Sequence, residues 1–335
     1  MTEHGVVNPG RRAFAAGVGA AAFASAMSWV GKALGAEPFP WKPIRIVVPY
    51  QAGGTTEILT RGLAEQMQAA LKQPVLVENR PGGGTTIGAT AVAQAPADGH
   101  SLFMNASSFL INAQLMKGLP YDAAKDFVPL TLAASNPHVL VVYNGLGVSN
   151  FRDFLALAKQ KGKDMSYASF GNGSSGHLAF ELLKKTYEFD MLHVPYKGTP
   201  AAMTDVMGGN VHAMLTDLPP AATQVKAGKL LGLAIAAEQR NPALPDTPTF
   251  QEAGGIKFVS RSWFGFLARS GTPPEVLRVL QTEIVKALQN QALKDRLRAA
   301  GMDSYGTSAE EFDAFMKSES ARFAEAIRFS GTKID

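Results

Sequence analysis

The sequence predicts an α/β fold in two lobes, each built on a sheet covered by helices. Three observations predict it. Strand-like β-branched runs alternate with helical faces in two separate blocks. Glycine-rich corners stand between strand and helix in both blocks. The length, 335 residues, is too great for one small core and suits two bodies of roughly 100–200 residues.

The elements follow in order. Residues 44–50 form a short apolar, β-branched run, which reads as a buried strand. Residues 57–71 carry Ile58, Leu59, Leu63, Met67 and Leu71 on one helical face. Then come a strand at 75–78, a helix at 87–95 and a strand at 101–105. After a joint near 127–138 the alternation returns. Strands are expected at 139–143, 165–170, 191–196 and 211–216, with helices at 151–161, 177–187 and 200–207. Repeated βαβ units argue for parallel or mixed sheets between helical layers. Residues 263–267 read as a strand returning to the first lobe, and 273–330 as a helical tail broken at Gly301. Lobe 1 is therefore expected over 37–136 plus 259–335, and lobe 2 over 137–258.

Residues 1–36 differ in kind. Arg11-Arg12-Ala13-Phe14 leads into an Ala/Gly-rich apolar run that ends in Lys32 and the small residues Ala33, Gly35 and Ala36. A charged start, an apolar middle and a small-residue end make an export signal. The paired arginines and weakly hydrophobic core resemble a twin-arginine signal. A membrane anchor is the alternative, disfavoured because Ala and Gly give weak insertion energy. Cleavage fits after Gly35 or Ala36. Removing these residues takes out three basic and one acidic residue, leaving 29 basic against 27 acidic from the original 32 and 28. The exported form is nearly neutral, and a periplasmic location is expected.

Composition narrows the chemistry. Zero cysteines exclude disulfides, thiol catalysis, iron–sulfur clusters and cysteine-bound zinc. No basic run has the density that nucleic-acid binding requires.

The informative places are the corners Tyr50-Gln51-Ala52-Gly53-Gly54-Thr55-Thr56, Pro81-Gly82-Gly83-Gly84-Thr85-Thr86 and Gly171-Asn172-Gly173-Ser174-Ser175-Gly176. Glycine lets the backbone approach a ligand closely. The helix start that follows presents unpaired N–H groups and a partial positive charge. Such corners bind anions without lysine or arginine. Ligands of open parallel sheets sit beyond the carboxyl ends of strands, where these corners lie. A tight turn with an N-cap is the plainer reading of any one of them.

Sharper motifs fit less well. Gly171 to Gly176 spells G-x-G-x-x-G, but Asp190 precedes the next strand, whereas a ribose-binding acid belongs at that strand's end. Ser174 and Ser175 each lack one glycine of a nucleophile elbow. His177, Glu181 and His193 permit a metal site to be drawn, but a histidine at a helix start more often caps or packs. No metal and no cofactor is expected. Trp263 reads as core.

Several blocks together carry a resemblance. They are Lys42-Pro43-Ile44-Arg45-Ile46-Val47-Val48-Pro49-Tyr50, Ala52-Gly53-Gly54, Val77-Glu78-Asn79-Arg80-Pro81-Gly82 with Ile87-Gly88, Ala95-Pro96 and Asp98-Gly99. Further on come Tyr167-Ala168-Ser169, Gly173-Ser174, His177-Leu178, His193-Val194-Pro195-Tyr196-Lys197-Gly198, Leu244-Pro245-Asp246-Thr247-Pro248-Thr249 and Gly271-Thr272-Pro273. From about Pro40 to the C-terminus the chain resembles the solute-binding proteins of the tripartite tricarboxylate transporter family, the Bug or TctC-like receptors. Ala52 and Glu57 stand where that family commonly has Pro and Asp.

The resemblance implies a two-lobed periplasmic-binding-protein architecture of type II, closing like a clamshell, without catalytic activity. It implies a small organic anion, usually a carboxylate, as ligand and the membrane subunits of a transporter as partner, with the receptor expected to be a monomer. By position, Tyr50, Gly53, Gly54, Thr55 and Thr56 form the first-lobe clamp, and Gly171, Asn172, Gly173 and Ser174 the second. Thr85, Thr86, Ser107, Ser108, Ser169, His177 and Tyr196 are flanking candidates. Asp217, at a strand end, either reads a ligand donor or caps the helix that follows.

Overall fold

The computed structural model describes residues 1–4 and 38–333. The expected export signal, from residue 5 onward, and its cleavage site lie outside the described residues. Lys42–Asp335 forms one compact unit.

Its first block runs β1 (Ile44–Val48), α1 (Thr55–Leu71), β2 (Val75–Asn79), α2 (Thr86–Ala93) and β3 (Ser101–Ala106). β1 pairs parallel with both β2 and β3. A helix absent from the sequence reading, α3 (Ser107–Leu115), follows β3 with no intervening residue.

The expected joint at 127–138 is instead most of a 17-residue strand, β4 (Phe127–Tyr143). Pro129 and Pro137 and the polar run Ser135-Asn136 disguise it, because proline cannot donate to a ladder. The strand accommodates them with register shifts after Pro129 and after Leu132.

The second block comprises α4 (Phe151–Lys161), β5 (Ser166–Ser169), α5 (Ser175–Tyr187), β6 (Leu192–Pro195), α6 (Thr199–Met207) and β7 (Ala213–Asp217). It continues with α7 (Leu218–Lys226), β8 (Leu230–Ile235) and α8 (Phe250–Gly254). β9 (Arg261–Arg269) returns to the first block, followed by α9 (Pro274–Gln289), α10 (Gln291–Ala299), the short β10 (Asp303–Ser304) and α11 (Ala309–Ser330).

Among the described residues the strands run in the order β2-β1-β3-β9-β4-β7-β5-β6, with β8 and β10 also paired to β4. β4 changes partners midway. Phe127 to Pro137 lie antiparallel to β9, whereas His138 to Val142 lie antiparallel to β7. In its second half successive side chains enter different cores, as strand periodicity requires. Leu140 and Val142 pack with Phe151, Phe154 and Phe180, while Val139 and Val141 pack with Met203, Val206 and Leu218. Burying each such side chain contributes about 1.5–3 kcal/mol. The first block has its own core around Phe103, Phe109, Phe127 and Phe312, with Trp263 fully buried in it.

Candidate functional site

The glycine corners converge. A cavity of about 690 Å³ is lined by Gly82, Gly83, Gly84 and Thr85 from the second corner and by Gly171, Asn172 and Ser174 from the third. Pro49, Tyr50, Ser108, Asn112, Leu115, Met116, Lys117, Phe170, Pro195, Tyr196 and Lys197 complete the wall. No acidic residue is among them. The first corner lines a much smaller adjoining space of about 20 Å³, room for roughly one water. There Gly54, Thr55 and Thr56 meet Tyr50, Ser108, Ser175, Ser262 and Asp217.

The first corner already holds an anion of the chain's own. The Gly53 N–H donates to the Glu57 carboxylate, which also accepts from Arg61. An acid in the first turn of α1 thereby fills the positive end of that helix. Gly53 has φ +90° and lies close to Pro200, at the start of α6.

The second corner is left open. Gly82, Gly83, Gly84 and Thr85 all have positive φ, and Thr85 (φ 81°) adopts a conformation that β-branched residues rarely take. Its buried Oγ1 has no hydrogen-bond partner within the chain. Asn112 on α3 donates through Nδ2 to the Gly84 carbonyl (2.7 Å), while its buried Oδ1 is unpartnered. Thr86 turns aside, its hydroxyl 3.7 Å from the Met116 sulfur.

The third corner is braced from behind. Ser174 caps α5 by accepting from the His177 N–H (3.2 Å). The Gly173 N–H donates to His177 Nδ1 (3.2 Å). His177 stacks on His193 with centroids 3.9 Å apart, and His193 Nε2 lies 2.7 Å from the Ser169 hydroxyl. That hydroxyl in turn bonds the Gly171 carbonyl. Burial lowers His177 to about 4, and burial with the neighbouring His177 lowers His193 to about 3. Both rings are neutral at pH 7. His177 Nδ1 is therefore free to accept the Gly173 N–H.

The structure thus brings Tyr50, Thr85, Ser108, Gly171, Asn172, Ser174 and Tyr196 to the large cavity, and Gly54, Thr55, Thr56 and Asp217 to the small one. Gly53, Thr86, Ser107, Ser169, Gly173 and His177 line neither and make contacts internal to the chain; the Ser107 hydroxyl, for example, accepts from the Trp263 N–H (3.0 Å). Tyr196 presents its ring, its hydroxyl being bonded to Asp205. The Tyr50 hydroxyl is buried and unpartnered beside Ser108. Burial, with the Asp217 charge adding, holds that phenol above its ordinary value against the opposing effect of Ser108. It remains a donor at any physiological pH.

Asp217 precedes α7 but makes no side-chain cap. It accepts instead from Asn136 (3.2 Å) and lies 3.6 Å from His138 Nε2. His138, lowered to about 4 by burial, also meets Ser175 and Ser262 through Nε2 and Ser260 through Nδ1. A hydrolase relay needs the acid on one ring nitrogen and the serine on the other. Here Asp217 and the cavity serines Ser175 and Ser262 all meet Nε2. Asp190, the would-be ribose acid, precedes β6 and pairs with Lys184 at 2.9 Å. Glu181 is occupied by the Tyr167 hydroxyl and Lys184, and no acid–histidine cluster among the described residues suits a metal.

Asn112, Met116, Lys117 and Lys197 line the cavity but are not among the ligand candidates the sequence offers. For Asn112 the missing signal was α3, which follows β3 with no intervening residue and has Ala106, with no capping side chain, at its start; Met116 stands just past its end.

The family model of the tripartite tricarboxylate transporter family receptor, TctC, matches residues 59–331. BugT of Bordetella pertussis is 32% identical over 311 residues, spanning 92% of this chain and 95% of BugT. The periplasmic binding protein BugD superposes with a TM-score of 0.84 at 31% identity, covering 88% of this chain and 99% of BugD. Rpa4515 of R. palustris, solved with adipate, gives a TM-score of 0.85 at 31% identity over 88% of this chain and 99% of that one. The α/β architecture, a mixed sheet flanked by helices, is that of periplasmic binding proteins, and the chain belongs to the tripartite tricarboxylate transporter receptor family.

Proposed function

We propose that this receptor captures a small carboxylate between the second and third corners and presents it to the membrane subunits of its transporter. The observation that carries the reading is the cavity wall itself: neutral donors, two lysines and no acid. Donors in a water-poor cleft are worth more than in bulk water, and bonds to charged acceptors are the stronger kind.

Capture proceeds by closure of two lobes, residues 37–136 with 259–335 on one side and 137–258 on the other. The change of partners along β4 between Pro137 and His138 supports that division. Closure shifts only as far as the ligand binds the closed form better than the open one. The protein works in the periplasm as a monomer after residues 1–36 are removed near Gly35 or Ala36. The misplaced Asp190 and the position of Ser260, the one serine on His138 Nδ1, outside both cavities speak for binding without catalysis.

A thermal-shift screen against organic acids, amino acids and nucleotides tests this, with calorimetry on each hit. Ligand at 100 times its Kd adds about 2.7 kcal/mol of stability. A carboxylate hit recovered unchanged after incubation is the expected result. Stabilisation by NAD alone, or conversion of the acid, overturns it.

A further inference from the structure

We infer that Asn172-Gly173, in the third corner, is a site of spontaneous deamidation that retires the receptor by setting a carboxylate into its own cavity; the effect on binding rests on the carboxylate reading above. An asparagine followed by glycine can cyclise, because no side chain shields the backbone nitrogen that attacks. The chain has two such pairs, Asn144-Gly145 and Asn172-Gly173. The structure separates them. Asn144 is exposed, but its Nδ2 is tied to the Gly228 carbonyl (2.5 Å). Asn172 is half-buried in the cavity wall, and its amide has no hydrogen bond among the described residues.

The attacking nitrogen already faces a base. The Gly173 N–H points at His177 Nδ1 at 3.2 Å, within the reach a base needs for the proton it removes. Stacking on His193 holds the His177 ring in place, and burial keeps it neutral at pH 7, with a lone pair on Nδ1. The step needs no co-reactant but water. The Gly173 nitrogen gives its proton to Nδ1 and bonds to Asn172 Cγ. The Cγ–Nδ2 bond then breaks, and Nδ2 takes that proton and leaves as ammonia. Water opens the cyclic imide at either carbonyl, giving aspartate or isoaspartate.

Both products place a negative charge in a wall that holds no acid, and that charge repels an anionic ligand. Isoaspartate also lengthens the backbone of a corner whose Gly173 already stands against Asn112. A bound anion fills the space that Asn172 faces, so a loaded receptor ages more slowly than an unloaded one.

The test is incubation of the purified protein at neutral pH in oxygen-18 water, with peptide mass spectrometry of successive samples. Label should enter residue 172 as aspartate and isoaspartate ahead of Asn144, although Asn144 is the more exposed. His177→Asn keeps an acceptor for the Gly173 N–H but not a base, and should slow residue 172 by at least about tenfold. Asn144 in the same sample serves as the internal clock, and the thermal midpoint checks the fold. Asn172→Asp, which mimics one product, should bind the best acid from the screen at least about tenfold more weakly than the parent. Labelling of Asn144 first, or a rate at 172 that His177→Asn leaves unchanged or raises, overturns the inference. Parent-like affinity in Asn172→Asp overturns its consequence for binding. If no acid binds the parent, the receptor reading fails, and the labelling still decides whether the site exists.

Discussion

Asn112 and Gly173 meet across the cleft, the Oδ1 of Asn112 standing 1.9 Å from where a methyl group on Gly173 would be. Asn112 is held in turn by the Gly84 carbonyl. One side chain thus sets the spacing between the second and third corners, and it is tolerated only because residue 173 has no side chain.

Gly173→Ala should therefore weaken ligand binding strongly, by about 30-fold or more. Residue 173 has φ +64°, which costs an L-residue about 1–2 kcal/mol, and the methyl group forces the corners apart. Gly173→Val should abolish binding with the fold retained. Asn112→Ala removes the obstruction, so the double variant should recover part of the loss, a non-additivity that calorimetry of the four proteins reads directly. Normal affinity in Gly173→Val would sink the two-corner site.

Glu57 supplies a second prediction. Its carboxylate takes the Gly53 N–H and Arg61 at once. Glu57→Gln keeps the shape and loses the charge at the head of α1, and should cost about 1 kcal/mol in urea unfolding. Glu57→Asp is one methylene shorter, cannot span both partners, and should cost at least as much. If either variant is as stable as the parent, the corner is not held by this carboxylate.

The glycine corners and the strand–helix alternation were legible because they are local. Each is a run of residues whose neighbours in sequence are its neighbours in space. The continuity of β4 was not, since Pro129, Pro137 and Asn136 contradict strand propensity and are carried by pairing with β9, over a hundred residues away. Asn112 was hidden for a related reason. Its importance depends on Gly84 and Gly173, each from another corner, meeting it at one point. The filling of the first corner by Glu57 was only half legible: an acid in a first turn is visible in sequence, but its reach back to Gly53 is not.

Stability should fall with acidification through a defined window. His138 and His177 sit at about 4 and His193 at about 3, all depressed by burial. Between about 6.5 and 4 the unfolded chain binds protons that the folded chain refuses, so unfolding free energy rises with pH across that range and is lost as pH falls. A fully buried histidine contributes on the order of 2–3 kcal/mol there. In His177→Asn the amide oxygen can still accept the Gly173 N–H but does not titrate. Urea unfolding at pH 7.5, 6, 5 and 4 should show a shallower decline for this variant. An unchanged slope would mean that His177 carries no part of the acid sensitivity.

Tyr50 separates binding from folding most cleanly. Its ring packs edge-on against Phe170, 6.3 Å between centroids, and its carbonyl accepts from Asn79 at 3.0 Å. The hydroxyl has no partner within the chain. Tyr50→Phe keeps the ring and the backbone contact and deletes a buried donor that folding leaves unsatisfied. Removing such a group is neutral or stabilising for the fold, whereas a hydrogen bond to a charged ligand is worth about 1.5–3 kcal/mol. The variant should melt at or slightly above the parent temperature and bind its carboxylate roughly 10- to 100-fold more weakly. A hydroxyl that served the fold would give the opposite pair of results, a lower melting temperature with affinity kept. The two measurements together therefore assign the group.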